Sequence, residues 1–283
     1  MAFLPLRKIS EPQVTGVARD WLEKLTSELA DAKCDRSLLC RRVLTELTFP
    51  QYSGNWDTAV TDPGLPYATR LALAATDPRN VTLEPEYYNE CDDQRFQSVK
   101  PLLWLWYSFD RTLAGGQNVW LGVLLRRLLA QHVFKRCGEN FKCFQNTEFS
   151  FGYNMEVGNN VVVHRHVLLD DRGGISLGNN VSISDYANIY SHTHSIVEQR
   201  EVTNARTVID DNVRITYHAT VLAGVHVGEN GMVGAMALAT KDVRPYHVYV
   251  GIPAKSVRVK PNAPELQEHI LKTARERGGQ GAD

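Results

Sequence analysis

The chain has 283 residues, enough to bury one long core or two unequal ones. Its 31 basic and 32 acidic residues nearly balance, so no polyanionic partner such as a nucleic acid is indicated. The first ten residues lack the layout of a signal peptide, and the most apolar short run, residues 101–109, is far too short to span a bilayer. Five cysteines without paired spacing suit a reducing compartment, so we expect a cytoplasmic protein.

The first 143 residues are predicted to form a mostly helical region. Residues 11–32 have a proline near their start and carry apolar side chains at close to helical spacing. Residues 48–66 hold three prolines and two glycines and are predicted to be a loop. Residues 117–138 are predicted to form a strong helix that ends at Gly138. The basic residues of that helix could favour a membrane surface, but packing of its apolar face on the protein is the interpretation we prefer.

From Met155 onward the chain repeats with a period of six residues. Within each of three runs an apolar residue recurs at every sixth position, and the residue four further on is small or β-branched at nearly every step, Thr193 included. A helical period of 3.6 cannot produce this pattern, and a plain strand would not pause at every sixth residue. The apolar positions are Val157, Val163, Leu169, Leu177, Ile183, Ile189, Ile209, Ile215, Val221, Val227, Val233 and Ala239.

A second periodicity fixes the geometry of the repeat. The short motifs VGNN, LGNN, IDDN and VGEN place asparagine at positions 160, 180, 212 and 230. With the insertions after Leu169 and Ile189 removed, the motif returns every 18 residues, or three hexads. Asparagine tolerates left-handed backbone angles, as a tight repeated corner requires. Three short strands therefore make one coil, and the twelve hexads predict four coils of a triangular β-prism.

These hexads resemble the left-handed parallel β-helix of the hexapeptide-repeat acyltransferases. The segments FGYNMEVGNN, IYSHTH, TKDV and GIPAKSVR are most similar to the branch of maltose and galactoside O-acetyltransferases. The resemblance covers residues 144–260, leaving 1–143 as the helical region and 261–283 as a C-terminal helix or tail. It implies a mainly β protein that assembles as a homotrimer, with acetyl-CoA in the groove between neighbouring subunits and no metal.

The resemblance also implies roles for individual residues. The histidine that ends the I-Y-x-x-x-H segment is the general base in this family, and here that residue is His194. The function implied is an acetyl-CoA-dependent O-acetyltransferase acting on a hydroxyl of a sugar-like or other small acceptor. Two departures from the family, Arg214 in place of a tryptophan and Tyr217 in place of a small residue, alter the lining near the thioester. The implied CoA contacts are Tyr217, Ala235, Thr240, Lys241 and Arg258, and the implied acceptor contacts are His164 and Asp171.

The residues themselves support part of this assignment. Both insertions interrupt the third hexad of a coil, so they should emerge at one corner, where a rigid solenoid can build a site. His194 is predicted at the last position of the hexad that begins at Ile189, and an imidazole with a pKa of about 6.5 suits a base near neutral pH. His192 is predicted to face substrate or solvent, and His226 to occupy the position of His194 one coil later. Lys241 and Arg258 suit the phosphates of CoA.

Alternatives remain open at this stage. Asp170 and Asp171 either bind an acceptor hydroxyl or simply begin the turn DDRGG. A zinc enzyme similar to a γ-carbonic anhydrase would need three converging histidines, including a pair with four residues between them, whereas His192 and His194 have one residue between them. A non-catalytic β-helix that serves as a scaffold or binds sugar is the third reading. No cysteine or serine is placed as an activated nucleophile, so no covalent acyl-enzyme is expected.

Overall fold

The structure is a computed structural model that describes residues 8–198, 200–264 and 266–268. Most of the predicted C-terminal helix or tail, 261–283, lies outside these residues, although Pro264 and residues 266–268 are helical. Within the described part of the chain, no helix has both the length and the apolar character needed to cross a membrane.

The first half of the described chain is helical, as predicted. The predicted loop at 48–66 is wrong in part, because it contains a short helix whose Trp56 Nε1 donates a hydrogen bond to Leu73 O (3.1 Å). The helix predicted to end at Gly138 stops at Val133, because residues 136–137 already form a strand. The α-helices are α1 (Gly16–Ala30), α2 (Arg36–Thr48), α3 (Trp56–Thr61), α4 (Tyr67–Ala74), α5 (Asp93–Phe109) and α6 (Val119–Val133), and 3₁₀ turns lie at Pro50–Tyr52, Pro78–Asn80 and Glu84–Tyr87.

The second half is a parallel β-helix of five coils and the start of a sixth. The four predicted coils are present, and one further coil, β1 to β3, precedes them. The strands are β1 (Arg136–Cys137), β2 (Lys142–Cys143), β3 (Glu148–Phe149), β4 (Met155–Val157), β5 (Val162–Val163), β6 (Leu168–Asp170), β7 (Ile175–Leu177), β8 (Ser182–Ile183), β9 (Asn188–Tyr190), β10 (His192–His194), β11 (Val202–Asn204), β12 (Thr207–Ile209), β13 (Arg214–Ile215), β14 (Thr220–Val221), β15 (His226–Val227), β16 (Met232–Val233), β17 (Leu238–Ala239), β18 (His247–Val250) and β19 (Lys255–Val259).

The strands form three flat faces of a prism. Face A runs β1-β4-β7-β12-β15, face B runs β2-β5-β8-β13-β16-β18-β19, and face C runs β3-β6-β9-β14-β17. Pairing along each face is parallel, except that β18 and β19 pair antiparallel at the C-terminal end. The predicted fold class, a mainly β parallel helix of hexapeptide repeats with a larger helical N-terminal region, is confirmed.

The interior of the prism consists of the residues that the six-residue period selects. All twelve predicted apolar positions are at most 1% exposed. Burying an aliphatic side chain of this size contributes about 1.5–3 kcal/mol. Among the small or β-branched residues four positions after these, Thr193 differs, since it is exposed on the β10–β11 hairpin.

The helices fasten to the first coil by polar contacts as well as apolar ones. Arg126 on α6 donates to Cys143 O (3.1 Å) and pairs with Asp110, and all three residues are buried or nearly so. Tyr107 on α5 donates to Phe149 O (3.3 Å). Charge-assisted bonds in such buried positions hold the helical region in one orientation on the prism.

Three corners join the faces. At the A–B corner the four predicted asparagines have left-handed backbone, with φ of 57°, 57°, 60° and 56°. The B–C corner has the same geometry but carries His166, Tyr186, His218 and Met236, a set that the sequence did not reveal. At the C–A corner the positive φ falls on glycines, at Gly152, Gly174 and Gly224.

Replacing Asn180 by valine should lower the free energy of unfolding by about 2–3 kcal/mol. A left-handed backbone costs an L-residue about 1–2 kcal/mol, and the bond from Asn180 Nδ2 to Asn212 Oδ1 (3.1 Å) is lost as well. Asn180→Gly is the matched control, because glycine accepts the same φ and should lose only the side-chain bond. Urea unfolding of both variants measures the difference, and equal losses would contradict a role for the corner conformation.

Candidate active site

Two insertions emerge at the C–A corner, as predicted. Residues 171–174 follow β6 and residues 192–205 follow β9. Ser191 ties them together: its Oγ accepts from Gly173 N (2.8 Å) and donates to Asp170 O (2.5 Å), and its backbone O accepts from Ala205 N (2.8 Å). These hydrogen bonds hold the two insertions in fixed positions relative to each other at the C–A corner.

The larger insertion is an antiparallel hairpin, and His194 lies on it. The bond between Ala205 N and Ser191 O closes the base of the hairpin, so the chain leaves the prism after Ser191. The prediction that His194 ends a hexad of the prism is wrong: His194 is on β10, opposite Val202, and is exposed. His226 is not its equivalent one coil later, since it lies on face A with Nε2 at 2.7 Å from Asp210 Oδ2.

A groove of about 360 Å³ lies where the hairpin meets the edge of face C. It brings together the predicted base, His194, and one predicted CoA contact, Thr240. The remaining lining residues are Tyr190, His192, Thr193, Leu222 and Ala223. Histidines on the wall of an open groove can reach a bound hydroxyl, which is the geometry that acyl transfer to an alcohol requires.

Of the two surroundings predicted for His192, substrate or solvent, the structure places it on the wall of the groove. Its side chain is only 16% exposed, and Nδ1 contacts the buried carboxylate of Asp170. Asp170 is held in turn by Ser150 Oγ, which donates to Oδ1 (2.9 Å). A carboxylate beside Nδ1 favours the proton on that nitrogen, which leaves Nε2 as the hydrogen-bond acceptor. The His192 and His194 rings are 5.3 Å apart and nearly perpendicular, so two imidazoles share the groove.

Asp171, the predicted acceptor contact, points into the protein. It is buried, and its carboxylate accepts hydrogen bonds from the backbone N–H groups of Phe151 (2.7 Å), Gly152 (3.0 Å) and Asn154 (3.0 Å). Burial raises the pKa of Asp171 to about 6, against the lowering effect of these three donors. The structure thus gives Asp171 the turn-forming role that the sequence left open, and puts Asp170 next to a histidine of the groove.

Tyr88 and Glu90, which lie between the 3₁₀ turn Glu84–Tyr87 and α5, contact Arg172 at this corner. Arg172 Nε donates to Glu90 Oε1 (2.7 Å), and the guanidinium lies 4.0 Å from the centroid of the Tyr88 ring. Partial burial opposes ionisation of Glu90, but its own backbone N–H and Arg172 outweigh burial and lower its pKa. No sequence signal linked Glu90 to the corner, because the pair is separated by 82 residues.

The other predicted site residues are distributed over three places. His164, Tyr217 and Ala235 lie at the B–C corner, at the opposite edge of face C from the groove. Lys241 follows Thr240 at the C–A corner, and Arg258 is on β19, opposite Val248. Lys241 and Arg258 are both exposed and have no ion pair within the described residues. A single chain therefore does not bring all the predicted residues into one cavity.

His164 is held against the prism rather than free in solvent. Its ring stacks on Phe144 with centroids 5.1 Å apart and planes 11° apart. Burial, with a smaller contribution from Arg165, lowers the pKa of His164, and Asp185 opposes the shift. The imidazole is therefore neutral near pH 7 and can accept a hydrogen bond.

No set of three or more histidine, cysteine or carboxylate side chains is grouped to hold a metal ion in the described ranges 8–198, 200–264 and 266–268.

Known proteins match slightly less than half of this chain. Galactoside O-acetyltransferase of Escherichia coli is 28% identical over 137 residues, which cover 47% of this chain and 68% of that protein. An acetyltransferase of Staphylococcus aureus (strain COL) is 30% identical over 137 residues, covering 47% of this chain and 69% of its own length. No family model matches the chain.

Solved structures agree on the architecture. Maltose O-acetyltransferase of Clostridium difficile 630 has a TM-score of 0.53 and 25% identity, covering 61% of this chain and 91% of its own. A galactoside acetyltransferase in complex with coenzyme A also has a TM-score of 0.53, at 24% identity, covering 61% of this chain and 84% of its own. The chain belongs to the hexapeptide-repeat acyltransferases. It is an acetyltransferase, and the sequence matches above cover slightly less than half of it.

The raised pKa of Asp171 predicts a specific pH dependence of stability. Its folded-state pKa, about 6, lies above its ordinary 3.8, so the folded protein holds this proton more tightly than the unfolded chain. The contribution is fully present below pH 4 and is lost as the pH rises through 6. The free energy of unfolding of the wild type, taken relative to Asp171→Asn, should fall by about 3 kcal/mol over that interval and then level off. Denaturant titrations of both proteins from pH 4 to pH 8 measure it, and a constant difference would refute it.

Proposed function

We propose that this enzyme transfers the acetyl group of acetyl-CoA to a hydroxyl of a small, sugar-like acceptor, with His194 as the general base. The observation that carries the proposal is the groove at the C–A corner. The groove is lined by His194, by His192, which contacts Asp170, and by Thr240. It lies beside two insertions that the prism itself does not require. Family membership supplies the class of reaction, and the groove supplies the residues.

The reaction is a direct displacement at the thioester carbonyl. His194 accepts the proton of the acceptor hydroxyl as its oxygen bonds to the acetyl carbon. The tetrahedral oxyanion collapses, the carbon–sulfur bond breaks, and the imidazolium of His194 returns the proton to the departing CoA sulfur. The products are the acetyl ester and CoA, and the histidine ends neutral as it began.

The cysteines support direct transfer. Thiolates, not thiols, are the nucleophiles of acyl-enzyme chemistry. Burial raises the pKa of each of the five cysteines, Cys143 to about 12 and Cys137 to about 11, and Cys34, Cys40 and Cys91 are raised for the same reason. None of these groups is ionised near pH 7, so none offers an intermediate to carry the acetyl group.

The cofactor-binding residues carry over from the resemblance. We assign the thioester end of acetyl-CoA to Thr240, which lines the groove, and the phosphates to the exposed cations Lys241 and Arg258. Tyr217 and Ala235 are the remaining proposed contacts. CoA carries a 3′-phosphate and a pyrophosphate, and exposed cations without a protein partner are available to pair with them.

We further propose that the active unit is a homotrimer. His164, Tyr217 and Ala235 lie at the B–C corner, whereas His194 and Thr240 lie at the C–A corner of the same chain. These residues can share one site if the B–C corner of one copy meets the C–A corner of its neighbour. The acceptor contact in this arrangement is His164, which is neutral near pH 7 and able to accept a hydrogen bond from a hydroxyl.

Substituting alanine for His194 should lower kcat by a factor of about 100 to 10,000, the usual contribution of a positioned base. CoA binding and oligomeric state should not change. CoA thiol release measures turnover, and calorimetry measures CoA binding. His226→Ala is the control, since this histidine is bonded to Asp210 on face A and should leave kcat unchanged. A larger loss in His192→Ala than in His194→Ala would assign the base to His192 instead.

Removing either proposed phosphate contact should weaken binding of CoA rather than slow the chemistry. Lys241→Ala and Arg258→Ala should each raise KM for acetyl-CoA about 10-fold at low salt, and the difference should shrink as salt screens the exposed charges. Lys255→Ala is the matched control, because Lys255 is an exposed cation on the same strand as Arg258. An unchanged KM in both variants would remove these residues from the site.

A further inference from the structure

A cavity of about 210 Å³ lies between the helical region and face C of the prism. Its floor is formed by outward-facing residues of β3 and β6, and its walls by α5 and the 3₁₀ turn Glu84–Tyr87. The volume is below the ~300 Å³ at which pockets for drug-sized ligands begin, so its occupant is a group the size of one small ring or less. The lining residues that bear on the argument are Glu84, Tyr88, Trp104, Tyr107, Arg111 and Glu148.

The cavity is on the same face of the prism as the groove. Ser150 lines the cavity and donates to Asp170, whose carboxylate contacts His192 of the groove. Asp170 is paired in register with Tyr190, which lines the groove. Neighbouring strands are about 4.8 Å apart, so the cavity and the groove are separated by one to two strand spacings, roughly 5–10 Å. The buried carboxylate of Asp170, which contacts Ser150 on one side and His192 on the other, is therefore a wall that the cavity and the groove share.

The three aromatic residues offer ring surface and no spare polar group. Trp104 Nε1 donates to Ala75 O (2.8 Å), Tyr107 donates to Phe149 O (3.3 Å), and the Tyr88 hydroxyl donates to Glu84. Burial, together with Glu84, raises the pKa of Tyr88 to about 12, so its ring stays neutral. Since their N–H and O–H groups are engaged, these rings can act on a ligand only through their surfaces.

The charges in the lining are mainly negative. Glu84, Asp110 and Glu148 face one cation, Arg111. Asp110 is neutralised by Arg126, and Glu84 accepts from Tyr88, but Glu148 is exposed and has no ion pair within the described residues. Aromatic surface beside carboxylates that can only accept hydrogen bonds is complementary to an ammonium group, which donates and carries positive charge.

We infer that this cavity binds the ammonium group of the acceptor, so that the acceptor is a small amino alcohol or amino sugar acetylated on oxygen. That the bound molecule is acetylated rests on the proposed function, whereas binding of an ammonium group in the cavity does not. Holding the amine protonated beside Glu148 also keeps it from attacking the thioester, which directs the acetyl group to the hydroxyl. The helical region forms the walls of the cavity, so it would then select the acceptor.

The test measures binding separately from turnover. Calorimetry on the full chain compares two matched pairs of probes: methyl glucosaminide with methyl glucoside, and choline with its neutral tert-butyl analogue. The cationic member of at least one pair should bind about 10-fold more tightly or better, and Glu148→Gln should abolish that preference without altering the affinity for the neutral member. Glu139→Gln, an exposed carboxylate at the A–B corner, should leave it intact.

Trp104→Leu provides a second variant, with circular dichroism to confirm folding, and should reduce the same preference. Equal binding within both pairs, a preference that survives Glu148→Gln, or no binding of any probe would each overturn the inference. The thiol-release assay with the same probes then separates the two proposals. Cation-selective binding without acetyl transfer would contradict the proposed function and support the cavity assignment. Acetyl transfer to the neutral probes alone would support the proposed function and contradict the cavity assignment.

Discussion

The molecule depends on one backbone constraint, the left-handed residue that recurs at the A–B and B–C corners of the prism from coil to coil. Asparagine meets it at the A–B corner, and histidine, tyrosine and methionine meet it at the B–C corner, where His166, Tyr186 and His218 stack with centroids 4.8 Å apart. Stacking at the strand spacing recovers part of the cost of the unfavourable φ. Both insertions lie at the third corner, where the positive φ values fall on glycines.

That arrangement explains why the adjacent carboxylates of Asp170 and Asp171 point in opposite directions. Asp170 is the last residue of β6, so its side chain lies on the outer surface of face C and contacts His192. Asp171 is the first residue of the insertion and turns inward, where three backbone N–H groups surround it. Asp171 organises the turn that keeps Asp170 in place. The groove thus has a rigid floor made by repeats and a wall made by a hairpin, a division of labour common in solenoid enzymes.

The repeat was the part of this structure that the sequence predicted best, because each hexad residue meets the same neighbours one coil away and its role is therefore written in a local period. The first coil escaped detection since Cys137, Cys143 and Phe149 fill its inward positions in place of branched aliphatics. His194 was assigned to the wrong element, because the period shows that the repeat is interrupted but not at which residue the chain leaves the prism. The cavity under α5 was beyond reach for another reason: its walls come from segments that meet only through long-range packing.

Both ends of the prism are covered. α6 and α5 lie against the first coil, and β19 folds back antiparallel on β18 with a bulge between Val248 and Tyr249. Exposed strand edges invite pairing with other chains, and terminal caps are the usual protection in repeat proteins. The consequence is directional. Because β19 runs antiparallel to β18, it does not extend the parallel coils at this end, and the corners on which the candidate site lies run along the long sides of the prism.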